Sequence, residues 1–183
     1  MSGYGIFYIL ILLSQVEDDP LLIYDFRQNQ NLDGWQIVDD VVMGGRSDGN
    51  LKITESGNGL FYGSVSLENN GGFSSVRYQL PSPMSDIQKA KSCKIRLKGD
   101  GKSYQFRIKK DLYDRFSYIT TFDTGTDWEI IEIPLVDLYP SFRGMELDLP
   151  NYTASTIEEI SILISNKRKE SFQLEIDWIK LSN

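Results

Sequence analysis

Histidine is absent from the 183 residues. That single gap removes Ser-His-Asp and Cys-His nucleophilic systems from what this chain can build. Zinc sites of the usual Cys/His kind go with them. Carboxylates, lysine, tyrosine and oxygen-ligated hard metals are the chemistries left. Cysteine occurs once, at Cys93, so no disulfide can close within the chain, which is compatible with a reducing compartment. Cys93 falls on the apolar side of an alternating segment, where a buried and unreactive thiol is expected.

Long apolar runs and basic excess are lacking too. The most apolar stretch, Ile6 to Leu13, is eight residues long, whereas a helix needs about 20 to cross a bilayer. No Lys or Arg precedes Arg27, Leu13-Ser14-Gln15 is a poor cleavage site, and no cysteine follows that could take a lipid. Three readings stay open for it: a degenerate signal or anchor, an added N-terminal strand, or an upstream start read into the gene. Val16 to Pro20 reads as a linker, so we expect an apolar segment and linker over 1–20 and one domain over 21–183. A cytoplasmic location is expected, or an exported or membrane-associated one if the apolar run is a signal or anchor. Nineteen Lys and Arg against 26 Asp and Glu leave a formal charge of −7, unsuited to phosphate backbones, so no nucleic-acid partner is expected. The basic run Lys167 to Lys169 reads as a solvated loop.

What is present is strand and turn. Cys93, Ile95 and Leu97 alternate with Lys94, Arg96 and Lys98, and Tyr104, Phe106 and Ile108 alternate with Gln105, Arg107 and Lys109. That is the period of half-buried strands. Similar segments run from Leu21, Leu51, Leu60, Phe73, Phe116, Trp128, Ile160 and Phe172. Asn-Gly and Gly-Gly turns separate several of them. Pro81 and Pro83 are expected to end the strand from Phe73, and Ser85 to Ala90 to form a helical turn. Pro140 to Tyr152 reads as irregular. About ten short strands without a long amphipathic helix predict an all-β antiparallel sandwich or barrel.

Candidate chemistry concentrates in WQIVDDVVMGGRSDGN, residues 35–50, a short strand that is expected to break into turns at Gly44-Gly45 and again at Asp48-Gly49. Adjacent Asp39 and Asp40 point to opposite faces of a strand, so they are not an acid/base pair. Three roles remain for them: organising the Gly44-Gly45 turn through backbone N–H groups, contacting a ligand, or, with Asp48, holding Ca²⁺. Strand parity sends Ser75, Arg77 and Gln79 outward, and likewise Gln105, Arg107 and Lys109. If Leu60 to Leu67 lies in the same sheet, Tyr62 joins them. Such a face is either a polar recognition surface or an ordinary wet side.

Several stretches together resemble the complex I intermediate-associated protein 30 (CIA30) domain family. They are VDDVVMGGRSDG at 38–49, GSVSLENNGGFSSVRY at 63–78, RLKGDGKSYQFRIK at 96–109, FRGMELD at 142–148 and FQLEIDWIK at 172–180. The resemblance implies a galactose-binding-like jelly-roll β-sandwich. It implies a non-catalytic, chaperone-like assembly factor of the respiratory NADH dehydrogenase, complex I, with no cofactor and no catalytic or metal residues. The expected partner is another protein, engaged by Asp40, Met43, Gly44, Gly45, Arg46, Arg77, Arg107 and Arg143, with Gly71 and Gly72 shaping the loops. Arginine suits such a surface because its planar fork binds carboxylates and stacks on aromatics. The alternative is a carbohydrate, read by an aromatic platform from Tyr62, Tyr113 or Tyr118. A carboxylate hydrolase needs two converging acids about 5–9 Å apart, and no such pair is evident in the sequence.

Overall fold

A computed structural model describes residues 20–183, with only the backbone of Val42 and Met43. The run 6–13 and, but for Pro20, the linker 16–20 lie outside the described residues. Among the described residues thirteen strands alternate their side chains: β1 (Leu21–Asp25), β2 (Trp35–Asp39), β3 (Asp48–Ile53), β4 (Gly59–Val65), β5 (Ser74–Met84), β6 (Ser92–Lys98), β7 (Ser103–Lys109), β8 (Ser117–Asp123), β9 (Trp128–Pro134), β10 (Tyr139–Phe142), β11 (Met145–Glu146), β12 (Ile157–Ile164) and β13 (Glu170–Ser182). They form two antiparallel sheets, ordered β3-β4-β13-β6-β9, with β1 also on β13, and β11-β10-β8-β7-β12-β5-β2. The molecule is an antiparallel jelly-roll β-sandwich.

The core lies between the sheets and is built by the expected parity. Cys93, Ile95 and Leu97 from one sheet and Phe106 and Ile108 from the other are all fully buried. In β13 the apolar phase slips by one, from Leu174 and Ile176 to Ile179 and Leu181. The register shifts at that step, between Ile176 and Trp178. A bulge of this kind lets both halves of a long strand face the core. It also marks where β4 hands its place beside β13 to β1.

Four local expectations are corrected. The strand β5 runs on through Pro81 and Pro83 to Met84, beyond the last residue that pairs with β2, where prolines remove no hydrogen bond on that side. Residues 85–91 hold a turn closed by Ala90 N–H on Ile87 O at 2.9 Å, not a helix. Within the stretch read as irregular, only 147–152 carry no strand, and residues 140–146 belong to a hairpin, β10–β11. Arg143 and Gly144 form its two-residue turn with φ of 52° and 80°, the left-handed pair that such hairpins favour. Finally, Asp48-Gly49 is not a turn but the start of β3, and Gly49 faces Gly63. A Cβ on Gly49 would lie 2.1 Å from Ser74 Oγ and 2.8 Å from Asp39 Oδ1, so glycine there answers a close approach of the two sheets.

Candidate binding surface

The loop corner around Asp40 is where the chain crosses between sheets twice, from β2 to β3 and from β4 to β5. Asp40 has no exposed surface. Its Oδ1 accepts the Ser47 N–H at 3.0 Å. Its Oδ2 accepts Ser47 Oγ at 2.5 Å, Gly72 N–H at 2.5 Å and Phe73 N–H at 3.2 Å. Burial works to raise its pKa, but the bonds from the Ser47 hydroxyl and from the Gly72, Ser47 and Phe73 amides together hold it below the ordinary value. Gly45 and Gly71 lack a Cβ for the same reason: one would sit 2.2 and 2.5 Å from the carboxylate oxygens. The Ser66 N–H reaches back to Ser47 Oγ at 3.0 Å, and Asn69 Nδ2 donates to Gly44 O at 2.9 Å. Asp39 does the complementary job, accepting the Gly49 N–H of β3 at 2.9 Å.

The two aspartates therefore organise the corner through the backbone N–H groups of Ser47, Gly49, Gly72 and Phe73, whereas the Gly44-Gly45 turn closes on the Val41 and Asp40 backbone carbonyls without either carboxylate. With no surface of its own, Asp40 reaches a partner only through the loops it holds. Gly44 caps the 3-10 turn at φ 89°, and Gly72 places its N–H on Asp40. Arg46 stays at the surface, paired with Glu68 at 3.0 Å. Exposed pairs of this sort add about 1 kcal/mol at most. The side chain of Met43 lies outside the described part of the structure. Arg143 tops the β10–β11 hairpin and stacks on Phe142 at 5.3 Å, at the opposite edge of its sheet from the Asp40 corner.

The outer face of the seven-stranded sheet is the second locus, and there the structure does bring predicted residues together. One register row crosses six strands as Gln36, Arg77, Ser161, Arg107, Ile119 and Tyr139. Arg77 and Arg107 are half-buried, and among the described residues neither makes an ion pair. Arg107 donates Nε and Nη2 to Gln105 Oε1 at 3.2 and 2.6 Å. Burial, and then the Arg77 charge, lower the Arg107 guanidinium to about 10. Ile119 and Leu163 point outward yet are 3% and 5% exposed, and both stand apart from the core cluster. Apolar side chains buried on the outer side of a sheet show that the surrounding side chains make a sheltered floor, unlike a flat wet face.

Tyr62 is absent from this row because β4 belongs to the other sheet, where Lys52 lies over its ring at 5.1 Å. Tyr118 is buried in the core, and Tyr113 is exposed in the β7–β8 loop. Tyr139, which sequence reasoning passed over just ahead of the stretch read as irregular, is the aromatic residue nearest Arg107 along the row. Glu159 also escaped notice; burial raises its pKa against the pull of Arg77 and Lys109. Ser161 was visible only as a serine alternating with isoleucines. Among the described residues no three acids or cysteines converge as a metal set.

The CIA30 description, Complex I intermediate-associated protein 30, matches residues 24–176. The chain belongs to the CIA30 family. It is 25% identical over 185 residues to the mouse mitochondrial Complex I intermediate-associated protein 30, covering 90% of this chain and 56% of that protein. The Drosophila melanogaster counterpart is 24% identical over 199 residues, covering 91% and 67%. The chain thus spans little more than half the length of the mouse relative. Among solved structures it is similar to the family 11 carbohydrate-binding module of a Clostridium thermocellum cellulosomal cellulase, with TM-score 0.66, 16% identity and coverage of 90% and 94%. A family 29 carbohydrate-binding module complexed with cellulohexaose gives TM-score 0.53, 13% identity and coverage of 91% and 92%. At these identities the likeness shows the fold.

Four of the five CIA30 stretches in this chain turn out to carry tethers. VDDVVMGGRSDG and the NNGGF segment meet at Asp40. RLKGDGKSYQFRIK and FQLEIDWIK meet at Asp100, which accepts Lys102 Nζ at 2.6 Å, Tyr104 OH at 3.1 Å and Gln173 N–H at 3.0 Å. Asp177, at the β13 bulge and 4% exposed, pairs with Arg96 and, at 3.0 Å, with Arg27. Each of these acids bonds residues far along the chain and closes a crossing or a bulge.

Proposed function

We propose that this CIA30 domain is a non-catalytic protein-binding module, acting on another polypeptide during assembly of a larger complex, with the outer face of the seven-stranded sheet as its contact surface. The observation that carries the reading is the sheltered row on that face: Arg77 and Arg107, without ion-pair partners among the described residues, beside outward-buried Ile119 and Leu163. The acids that are well placed for chemistry elsewhere, Asp40, Asp100 and Asp177, are already engaged in holding the fold. Relatives named as associated with Complex I intermediates support a protein partner of that class.

The test is recovery of partners on the tagged full chain from its own host, with Arg77→Gln/Arg107→Gln beside the wild type. Both chains should melt within a few degrees of one another, because outward substitutions usually stay within about 0.5 kcal/mol. The variant should lose the partner. Equal recovery by both removes the reading. Carbohydrate binding is the second reading, favoured by half-buried Tyr139 on the same face as Arg107. Saturable binding of a glycan on a broad panel, abolished by Tyr139→Ala, would establish it in place of the first.

A further inference from the structure

Arg77 and Arg107 sit on either side of Ser161, on strands that both pair with β12. Strands stand about 4.8 Å apart, so the two Cα atoms are separated by about 10 Å. An arginine side chain is long enough to cover half of that span, and Ser161 between the two is small and 5% exposed, so both guanidinium groups have the reach to share one oxyanion. Their charges already act on one another across that span. Gln105 orients the Arg107 fork by accepting two of its N–H groups while supplying no negative charge. Lys109, the next cation along β7, is taken up by the Leu112 and Asp114 carbonyls. The acid nearest the two arginines by register, Glu159, lies opposite Lys109 and Gln79 and makes no ion pair with either arginine; Asp123, further along β8, accepts the Ser103 hydroxyl. Two like charges thus act on one another, half out of water, and Glu159, two residues from Ser161 on the strand between them and itself under the pull of Arg77 and Lys109, pairs with neither arginine. That arrangement costs free energy which a bound oxyanion removes.

We infer that Arg77 and Arg107 form a carboxylate subsite that receives one Asp or Glu side chain, flanked by apolar residues, from a partner polypeptide. This deepens, and rests on, the reading of the face as the partner surface. Three features select that ligand. The forks match a carboxylate in geometry. Ile119 and Leu163 supply apolar floor on either side of Arg107 for the flanking residues. Glu159 adds a nearby negative charge that repels a dianion more than a monoanion, favouring carboxylate over phosphate. On a chain of formal charge −7, this cationic row also sets where an acidic segment docks.

The test uses the ¹⁵N-labelled full chain and the capped peptide acetyl-Ser-Leu-Glu-Val-Ser-amide, read at the arginine Nε–Hε resonances. The Arg77 and Arg107 signals are expected to shift saturably and together. The Gln-for-Glu peptide should bind at least tenfold more weakly, the loss expected for a charge-assisted pair. Arg77→Gln and Arg107→Gln should each weaken the Glu peptide about tenfold, and Glu159→Gln should tighten it two- to threefold. The wild-type titration stands even if a variant fails to fold. Equal binding of Glu and Gln peptides, tighter binding of a phosphoserine peptide, or the same shifts produced by a neutral oligosaccharide would each overturn the inference. The two layers fail separately. If the double arginine variant loses the partner while Glu and Gln peptides bind alike, the protein surface stands and the carboxylate subsite falls. If partner recovery is untouched by that variant, the reading of the face falls and the inference with it.

Discussion

Replacing Asp40 by Asn tests the corner that joins the two sheets. The change keeps shape and removes charge. In the native corner one carboxylate oxygen accepts three hydrogen bonds and the other accepts one. The amide oxygen has to take the position with three, which leaves its NH₂ facing the Ser47 N–H. A buried donor left without an acceptor costs roughly 1–3 kcal/mol. The three surviving bonds pass from a charged to a neutral acceptor and lose about 1 kcal/mol each, partly offset because no charge is then held out of water. The net expectation is a loss of about 3 kcal/mol. For a chain of this length that lowers Tm by about 6–12 °C.

Urea and thermal melts at neutral pH measure the loss. Because Ser47 shares the network, Asp40→Asn/Ser47→Ala should cost less than the sum of the single changes. The folded Asp40 pKa is depressed, so its contribution is complete above the ordinary value of 3.8 and is lost as pH falls through the lower folded value. In Asp40→Asn that part of the acid limb should vanish. A loss under about 1 kcal/mol, or strict additivity with Ser47→Ala, would refute the view that this carboxylate holds the corner.

Gly45→Ala should cost several kcal/mol in urea melts, since its Cβ would lie 2.2 Å from Asp40 Oδ1. Gly44→Ala has open space around it and only a left-handed φ of 89° against it, so about 1–2 kcal/mol is expected; equal losses at the two positions would contradict the geometry. The Cys93 thiol is fully buried and its pKa is pushed up by burial. Labelling by a thiol reagent should therefore follow the rate of unfolding, and fast labelling of the native chain would show that β6 is open. Glu159 has a raised folded pKa, so its carboxylate penalises folding at neutral pH and not below the ordinary value of 4.5. Glu159→Gln should be neutral to stabilising at pH 7, with the gain disappearing by about pH 4 in parallel melts; a gain that grows on acidification has the wrong sign.

Much of the fold was legible in the chain because alternation is a local property. Each side chain on a strand has a face set by its neighbours two residues away, so the buried set Cys93, Ile95 and Leu97 and the outward set Arg77 and Arg107 could be read directly. Turn chemistry was less reliable where glycine served a second purpose. Gly49 looked like a turn and is a contact between sheets, and Pro81 and Pro83 looked like a terminus and sit inside a long strand.

Sheet membership and the meeting of distant loops are set by long-range pairing, which parity does not encode. Tyr62 shares its outward phase with Arg77 but belongs to the opposite sheet. Tyr139 and Ser161 joined the arginine row only once β12 settled between β5 and β7 and β10 beside β8. Asp40 bonds residues 32 and 33 positions away as well as Ser47, so its neighbours in sequence offered a turn-organising role but could not decide between an internal anchor and a surface acid. By itself, the chain determined its strands, its inward and outward faces and its family. Only the tertiary structure decided which outward residues stand together, because that depends on the order in which strands hydrogen-bond across the sheet.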